Sequence, residues 1–253
     1  MRVLHITDPH LYADPEASLR GTVTHDSLRR VLRHVADSGW SADLVAMTGD
    51  LIQDDSREAY ERFRELLTPL GLPVYCVPGN HDVRPLMLDV LGNDPFYCCD
   101  SSVHGAWLIV GLDSSIEGSA AGRIAERELE RLDGVLRDTR AQHAMICLHH
   151  PPLPIGSQWL DSVGLQNGEQ FLQRIGLSGK VRIAIFGHAH QQFEGLHESI
   201  RIIGTPSTCS QFKVASDTYA VDDKPPAYRR ISLFPDGTVD TDVIWVGGNQ
   251  DRF

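Results

Sequence analysis

Five short groups of Asp, Asn and His residues are spread between positions 8 and 190. Asp8-Pro9-His10 comes first, then Gly49-Asp50, Gly79-Asn80-His81-Asp82, His149-His150-Pro151 and Gly187-His188-Ala189-His190. Carboxylate, amide oxygen and imidazole are the donors that hard and borderline divalent cations take. Cysteine is missing from all five groups, which argues against a closed structural zinc site. Asp8, His10, Asp50, Asn80, His149, His188 and His190 make more ligands than one ion can use. Two ions sharing one carboxylate would accommodate them, and such pairs, about 3.5–4 Å apart, act together on phosphoryl groups.

Each group has a plainer reading when taken alone. An Asp after a strand is commonly a cap or loop residue, and Gly-Asn is ordinary turn chemistry. GHAH is more specific, because imidazoles two positions apart on an extended segment point the same way. The combination in one order carries the metal reading. His25, His34, His104, His143 and His197 lack such neighbours, and His25 suits a helix start. His5 alternates with Leu4 and Ile6 and is expected to be buried and structural. For His150, backing a ligand and reaching substrate both stay open.

Nearly every group follows an apolar run of strand character. Strands are expected at Val3–Thr7, Leu44–Thr48, Pro73–Val77, Trp107–Leu112, Ala144–His149 and Val181–Phe186. Amphipathic helices are expected near Ser27–Ser38, Ser56–Leu70, Arg84–Leu91, Glu126–Arg140 and Glu169–Ile175. In the first of these, Leu28, Val31, Leu32 and Val35 form one buried stripe. The last quarter turns to strands at Phe193–Leu196, Arg201–Ile203, Arg229–Phe234 and Val239–Val246, with a turn at Pro235-Asp236-Gly237. This pattern predicts an α/β sandwich of two sheets with outer helices. Ligands bind beyond the carboxyl ends of such strands, where the five groups lie. The stretch Pro151–Gly168 is long for a plain connection and is a candidate functional loop.

With 253 residues, 42% hydrophobic and 23% charged, the chain is expected to form a single domain over 1–253 with a strand-rich segment from about Lys213. Its formal charge of -11 disfavours nucleic acid and anionic membrane as partners. Two divalent cations would bring that to -7 and concentrate their charge in one pocket. Five cysteines without a CxxC pair, no signal-peptide pattern and no apolar stretch of spanning length point to the cytoplasm, with no membrane anchor. Oligomeric state stays open, a homodimer included.

The series DxH, GD, GNHD, HHP and GHAH resembles the calcineurin-like metallophosphoesterase superfamily, and within it the class III cyclic-nucleotide phosphodiesterases. Thr48–Asp54, Leu148–Pro154, Ser157–Asp161 and Thr205–Phe212 are similar to that branch, and the likeness weakens after Phe212. The resemblance implies a four-layer α/β/β/α sandwich of two mixed β-sheets. It implies one ion on Asp8, His10 and His190, another on Asn80, His149 and His188, and Asp50 bridging them. Iron and manganese come first as the metals, with zinc and cobalt also admitted. His81 would approach the phosphate without binding metal, alongside Asn80 and His190. Pro9 departs from the commoner Thr or Ser; it points away from the metals in an extended strand end, so no consequence is expected.

The implied reaction is hydrolysis of a small cyclic nucleotide, 3',5'-cyclic AMP first, by a metal-bridging hydroxide. His81 would stabilise developing charge or protonate the leaving oxygen. Ser157–Asn167 and Thr205–Phe212 are the candidate loops for selecting substrate, with Trp159 or Phe212 stacking on the base, a contact worth about 1–3 kcal/mol. A broader phosphodiesterase, acting for example on glycerophosphodiesters, and a non-catalytic scaffold are the alternatives. The sequence contains no GxGxxG, GxxxxGK[ST] or GxSxG and only three lysines, so no rival catalytic set competes.

Overall fold

Alternation along the strands builds the layers. Val3, Leu44 and Ala46 pack into a core between two sheets, whereas Leu4, Ile6, Val45 and Met47 pack on the opposite face. Strands buried on both faces read as continuous apolar runs for this reason. In the computed structural model, which describes residues 1–247, the two main sheets have six strands each, beside two small two-stranded ones. The expected domain extends to 253, so its last part, 248–253, lies outside the described residues.

In the first sheet Arg2–Ile6 runs parallel to Leu44–Thr48, followed by Val74–Val77 and Phe96–Cys98. On its other side Arg2–Ile6 pairs antiparallel with Ala227–Leu233, and that strand with Val239–Trp245. In the second sheet Trp107–Gly111, His143–Cys147, Val181–Phe186 and Ile200–Gly204 are parallel neighbours. Antiparallel strands Ser101–His104 and Phe193–His197 close its two sides. Helices Thr24–Asp37 and Arg57–Leu67 cover the first sheet, and helices Glu126–Asp138 and Gly168–Leu177 the second. The result is the expected four-layer α/β/β/α sandwich.

Several expectations need correction. The strands Phe96–Cys98 and Ser101–His104 are additional to those expected: the first is only three residues long, and the second is polar apart from Val103. The first helix starts at Thr24 rather than Ser27, and Gln158–Asp161 forms one helical turn inside the Pro151–Gly168 stretch. The C-terminal strands complete the sheet that carries the N-terminal strand.

Candidate metal centre

The five groups emerge at the carboxyl ends of central parallel strands from both sheets, where the sheets meet. Main-chain bonds tie the exits together: Asp8 N donates to Gly49 O at 3.1 Å, and His10 N to Asp50 O at 3.0 Å. Two corners form. In one, His190 Nε2 lies 3.1 Å from His10 Nε2 and 3.3 Å from Asp8 Oδ1. In the other, Asn80 Oδ1 lies 3.1 Å from His149 Nε2 and 2.9 Å from His188 Nδ1. Asp50 stands between, its Oδ1 3.5 Å from His149 Nε2 and its Oδ2 3.8 Å from His10 Nε2. All seven residues expected as ligands are therefore brought together.

The local backbone departs from the expected extended segments. Asp8, His10, Asp50, His188 and His190 have φ of 52, 49, 49, 61 and 48°, in the left-handed region that side chains seldom occupy. The strand ends curl, so neither DxH nor GHAH orients its side chains by strand alternation. Backbone strain of this kind persists only where the surroundings enforce it. Gly187 shows how closely: a Cβ there would sit 2.1 Å from Thr7 Oγ1 and 2.6 Å from Asp8 Oδ2.

The donor set fits a cation. His149 Nδ1 donates to Thr48 O at 2.7 Å, and His190 Nδ1 donates to Ser210 O at 2.6 Å. Each bond places the ring hydrogen on Nδ1 and leaves a lone pair on Nε2. Those lone pairs face other acceptors, Asp8 Oδ1 in one corner and Asn80 Oδ1 in the other. Acceptors repel unless a proton or metal ion lies between them. Burial, against the pull of Asp50, lowers His10 to about 3, and burial with His149 lowers His188 to about 3, so both rings are neutral and offer lone pairs. Burial opposes charge on His149, yet the Asp50 and Asp8 carboxylates raise its pKa. Burial also opposes ionisation of Asp8, but His190, His149 and His10 hold its carboxyl below the usual range.

His81 reaches the same cluster, its ring edge-on to His10 with centroids 5.2 Å apart. Gln53 Nε2 donates to His81 Nδ1 at 3.1 Å, which places the hydrogen of the neutral ring on Nε2. His150 is fully buried behind the site, with Nδ1 2.8 Å from Ser114 Oγ and its ring against His149 and His188. Its Nε2 is buried without a partner, and its donor atom lies within 4.8 Å of those of His149 and His188.

Phe212 stacks on the His190 ring at 4.5 Å, while the Arg20 guanidinium lies 4.8 Å from its centroid. Trp159 and Tyr219 meet it edge-on. These neighbours leave Phe212 no open face for a base, and the buried loop Thr205–Phe212 supports Asp8 and His190 instead of facing solvent. Trp159 is only partly buried. Sequence reasoning missed Gln53, although it lies in the motif Thr48–Asp54, and gave Asp82 no role. Asp82 accepts from Gly79 N at 2.8 Å, from Leu51 N at 3.2 Å and from Tyr60 OH at 2.9 Å, clamping two ligand loops to a helix.

A model of the calcineurin-like phosphoesterase family matches residues 1–192, and the chain belongs to that family, whose members use a dinuclear metal site. Among curated relatives, the 3',5'-cyclic adenosine monophosphate phosphodiesterase CpdA of Haemophilus influenzae is 34% identical over 244 residues, 96% of this chain and 89% of its own. CpdA of Escherichia coli K12 is 35% identical with the same coverage. A 3',5'-cyclic-nucleotide phosphodiesterase of Nostoc is 34% identical over 95% of this chain and 91% of its own. Coverage of this extent carries the likeness well past Phe212, where the motifs alone had it fade. A dimetal phosphatase from Danio rerio shares the fold, with a TM-score of 0.66 at 19% identity over 98% of this chain and 99% of that one.

Proposed function

We propose that this chain is a dinuclear-metal phosphodiesterase that hydrolyses 3',5'-cyclic AMP to the 5'-monophosphate. The observation that carries the reading is the pair of corners whose lone pairs converge on either side of the Asp50 carboxylate. Near-full-length similarity to cyclic-nucleotide phosphodiesterases supports the substrate class.

Asp8, His10 and His190 would hold one ion, Asn80, His149 and His188 the other, and Asp50 would bridge them. Iron or manganese suits these oxygen and imidazole donors, and zinc or cobalt is also accommodated. Two such ions, when bound, neutralise phosphoryl oxygens and lower the pKa of water. The chain's own residues do the rest. Asn80 and His190 border the phosphate, and His81 offers its Nε2–H to the phosphate or to the departing 3'-oxygen. Trp159, partly exposed beside Phe212 and Tyr219, would be the residue that stacks on the base.

The reading takes the chain as one domain built on the core shared by both sheets. No helix among the described residues is long and apolar enough to cross a membrane. The reading puts its work in the reducing cytoplasm, which the five free cysteines support.

The test is kcat/KM for 3',5'-cyclic AMP on Mn²⁺-loaded protein, beside bis-p-nitrophenyl phosphate as a generic diester. A clear preference for cyclic AMP is expected. Good turnover of the generic diester with poor turnover of cyclic AMP would keep a phosphodiesterase and discard the cyclic-nucleotide assignment.

A further inference from the structure

A buried chain of hydrogen bonds runs from the strand Ala227–Leu233 to Asp8. It starts at Arg229, whose side chain is fully buried. Its NH1 meets Glu194 Oε1 at 3.1 Å and Thr241 Oγ1 at 3.2 Å, and its NH2 donates to Gly204 O at 3.1 Å. The third nitrogen, Nε, donates to Thr205 Oγ1 at 3.2 Å. Thr205 Oγ1 lies 2.7 Å from His5 Nδ1, and His5 Nε2 lies 2.8 Å from Thr48 Oγ1. The Thr48 hydroxyl donates to Thr7 Oγ1 at 2.8 Å, and the Thr7 hydroxyl donates to Asp8 Oδ2 at 2.6 Å. Thr7, His5, Thr48 and Thr205 are all inaccessible to solvent.

The chain has a direction. With its hydrogen on Nε2, His5 accepts from Thr205 and donates to Thr48, and every hydroxyl accepts one bond and donates one. With the hydrogen on Nδ1, Arg229 and His5 would both donate to Thr205, leaving its hydroxyl hydrogen without an acceptor along the chain. Burial and the nearby Arg229 charge lower His5 to about 3, so the ring is neutral and can both accept and donate. The bonds therefore point from a cation to an anion, the arrangement in which each polarises the next. At the end, Asp8 Oδ2 is held by Thr7, while Asp8 Oδ1 faces His190 Nε2 at 3.3 Å.

We propose that Arg229, Thr205, His5, Thr48 and Thr7 are positioning residues: together they fix the orientation of Asp8 and so set how tightly the Asp8–His10–His190 corner holds its ion. This rests on the metal reading above. Outer partners of metal ligands commonly account for about 10–100-fold in metal affinity. Thr48 is a poor place to test the idea, because its carbonyl also holds His149. Thr7 and His5 are better.

Mn²⁺ binding to metal-depleted Thr7→Val, Thr7→Ser, His5→Leu and His5→Gln would be followed by electron paramagnetic resonance against a competing chelator, with thermal melts of each metal-free protein. Thr7→Val and His5→Leu should each weaken one of the two Mn²⁺ ions by about 10–100-fold while remaining folded. Thr7→Ser keeps the hydroxyl and His5→Gln keeps one acceptor and one donor, so both should return towards the parent affinity. If His5→Leu does not fold, Thr205→Val against Thr205→Ser reads the same link. Parent-like binding by Thr7→Val would overturn the proposal. So would an effect of Thr7→Val with none of His5→Leu or Thr205→Val, since the coupling would then stop at one hydroxyl. A parent protein that binds no Mn²⁺ would overturn the metal reading itself, and the relay with it.

Discussion

His81 is the side chain whose chemistry is most open to direct test. Its Nδ1 accepts from Gln53, so the neutral ring presents Nε2–H beside His10 without being needed to complete either ligand corner. General acid assistance contributes about 10²–10⁴-fold. His81→Ala should accordingly lower kcat for cyclic AMP by about that range while the Mn²⁺ content of the purified protein stays at the parent level. The loss should be smaller for bis-p-nitrophenyl phosphate, whose leaving group departs without a proton. Equal losses on both substrates would assign His81 to phosphate charge, and loss of metal would make it a ligand. At this scale the ligand types were legible, because Asp, Asn and His in such groups have few other common uses. The partners that orient them were not: Ser210 O and Thr48 O are main-chain atoms, and the link of Arg229 to Asp8 passes through residues far apart in sequence.

The loops after the strands do the positioning, and their tightness sets what they tolerate. An added Cβ at Gly49, whose φ is +90°, would sit 2.4 Å from His149 Nδ1 and 2.7 Å from Gly79 N. Gly187 is equally confined, against Thr7 and Asp8. Forcing an extra methyl into such packing costs about 1–3 kcal/mol. Gly187→Ala should lower the melting temperature and reduce bound Mn²⁺ from two ions per chain towards one, measured by elemental analysis. Two tightly held ions in this variant would show that the Thr7–Asp8 contact does not govern the site. Strands and helices with long apolar patterns, such as Leu44–Thr48, Val181–Phe186 and Arg84–Leu91, had legible bounds. The left-handed turns at Asp8 and His190 were hidden, since no residue type announces them as glycine does.

At the scale of the whole molecule, the sandwich brings strand ends from two sheets to one seam, which lets residues from position 8 to position 190 share one site. The sheet of the last strands could not be read from sequence, because the pairing of Arg2–Ile6 with Ala227–Leu233 depends on contacts across nearly the whole chain. Gathering two buried carboxylates and several imidazoles is costly in a chain of charge -11, and two divalent cations would offset it where it is greatest. Their joint presence is the centre of the account. The measurement that tests it is the rate of cyclic AMP hydrolysis as Mn²⁺ is titrated into chelator-treated protein held well above its metal dissociation constants. Activity should rise through the second equivalent per chain and level off there. Full activity at one equivalent, or hydrolysis independent of added metal, would contradict the dinuclear reading.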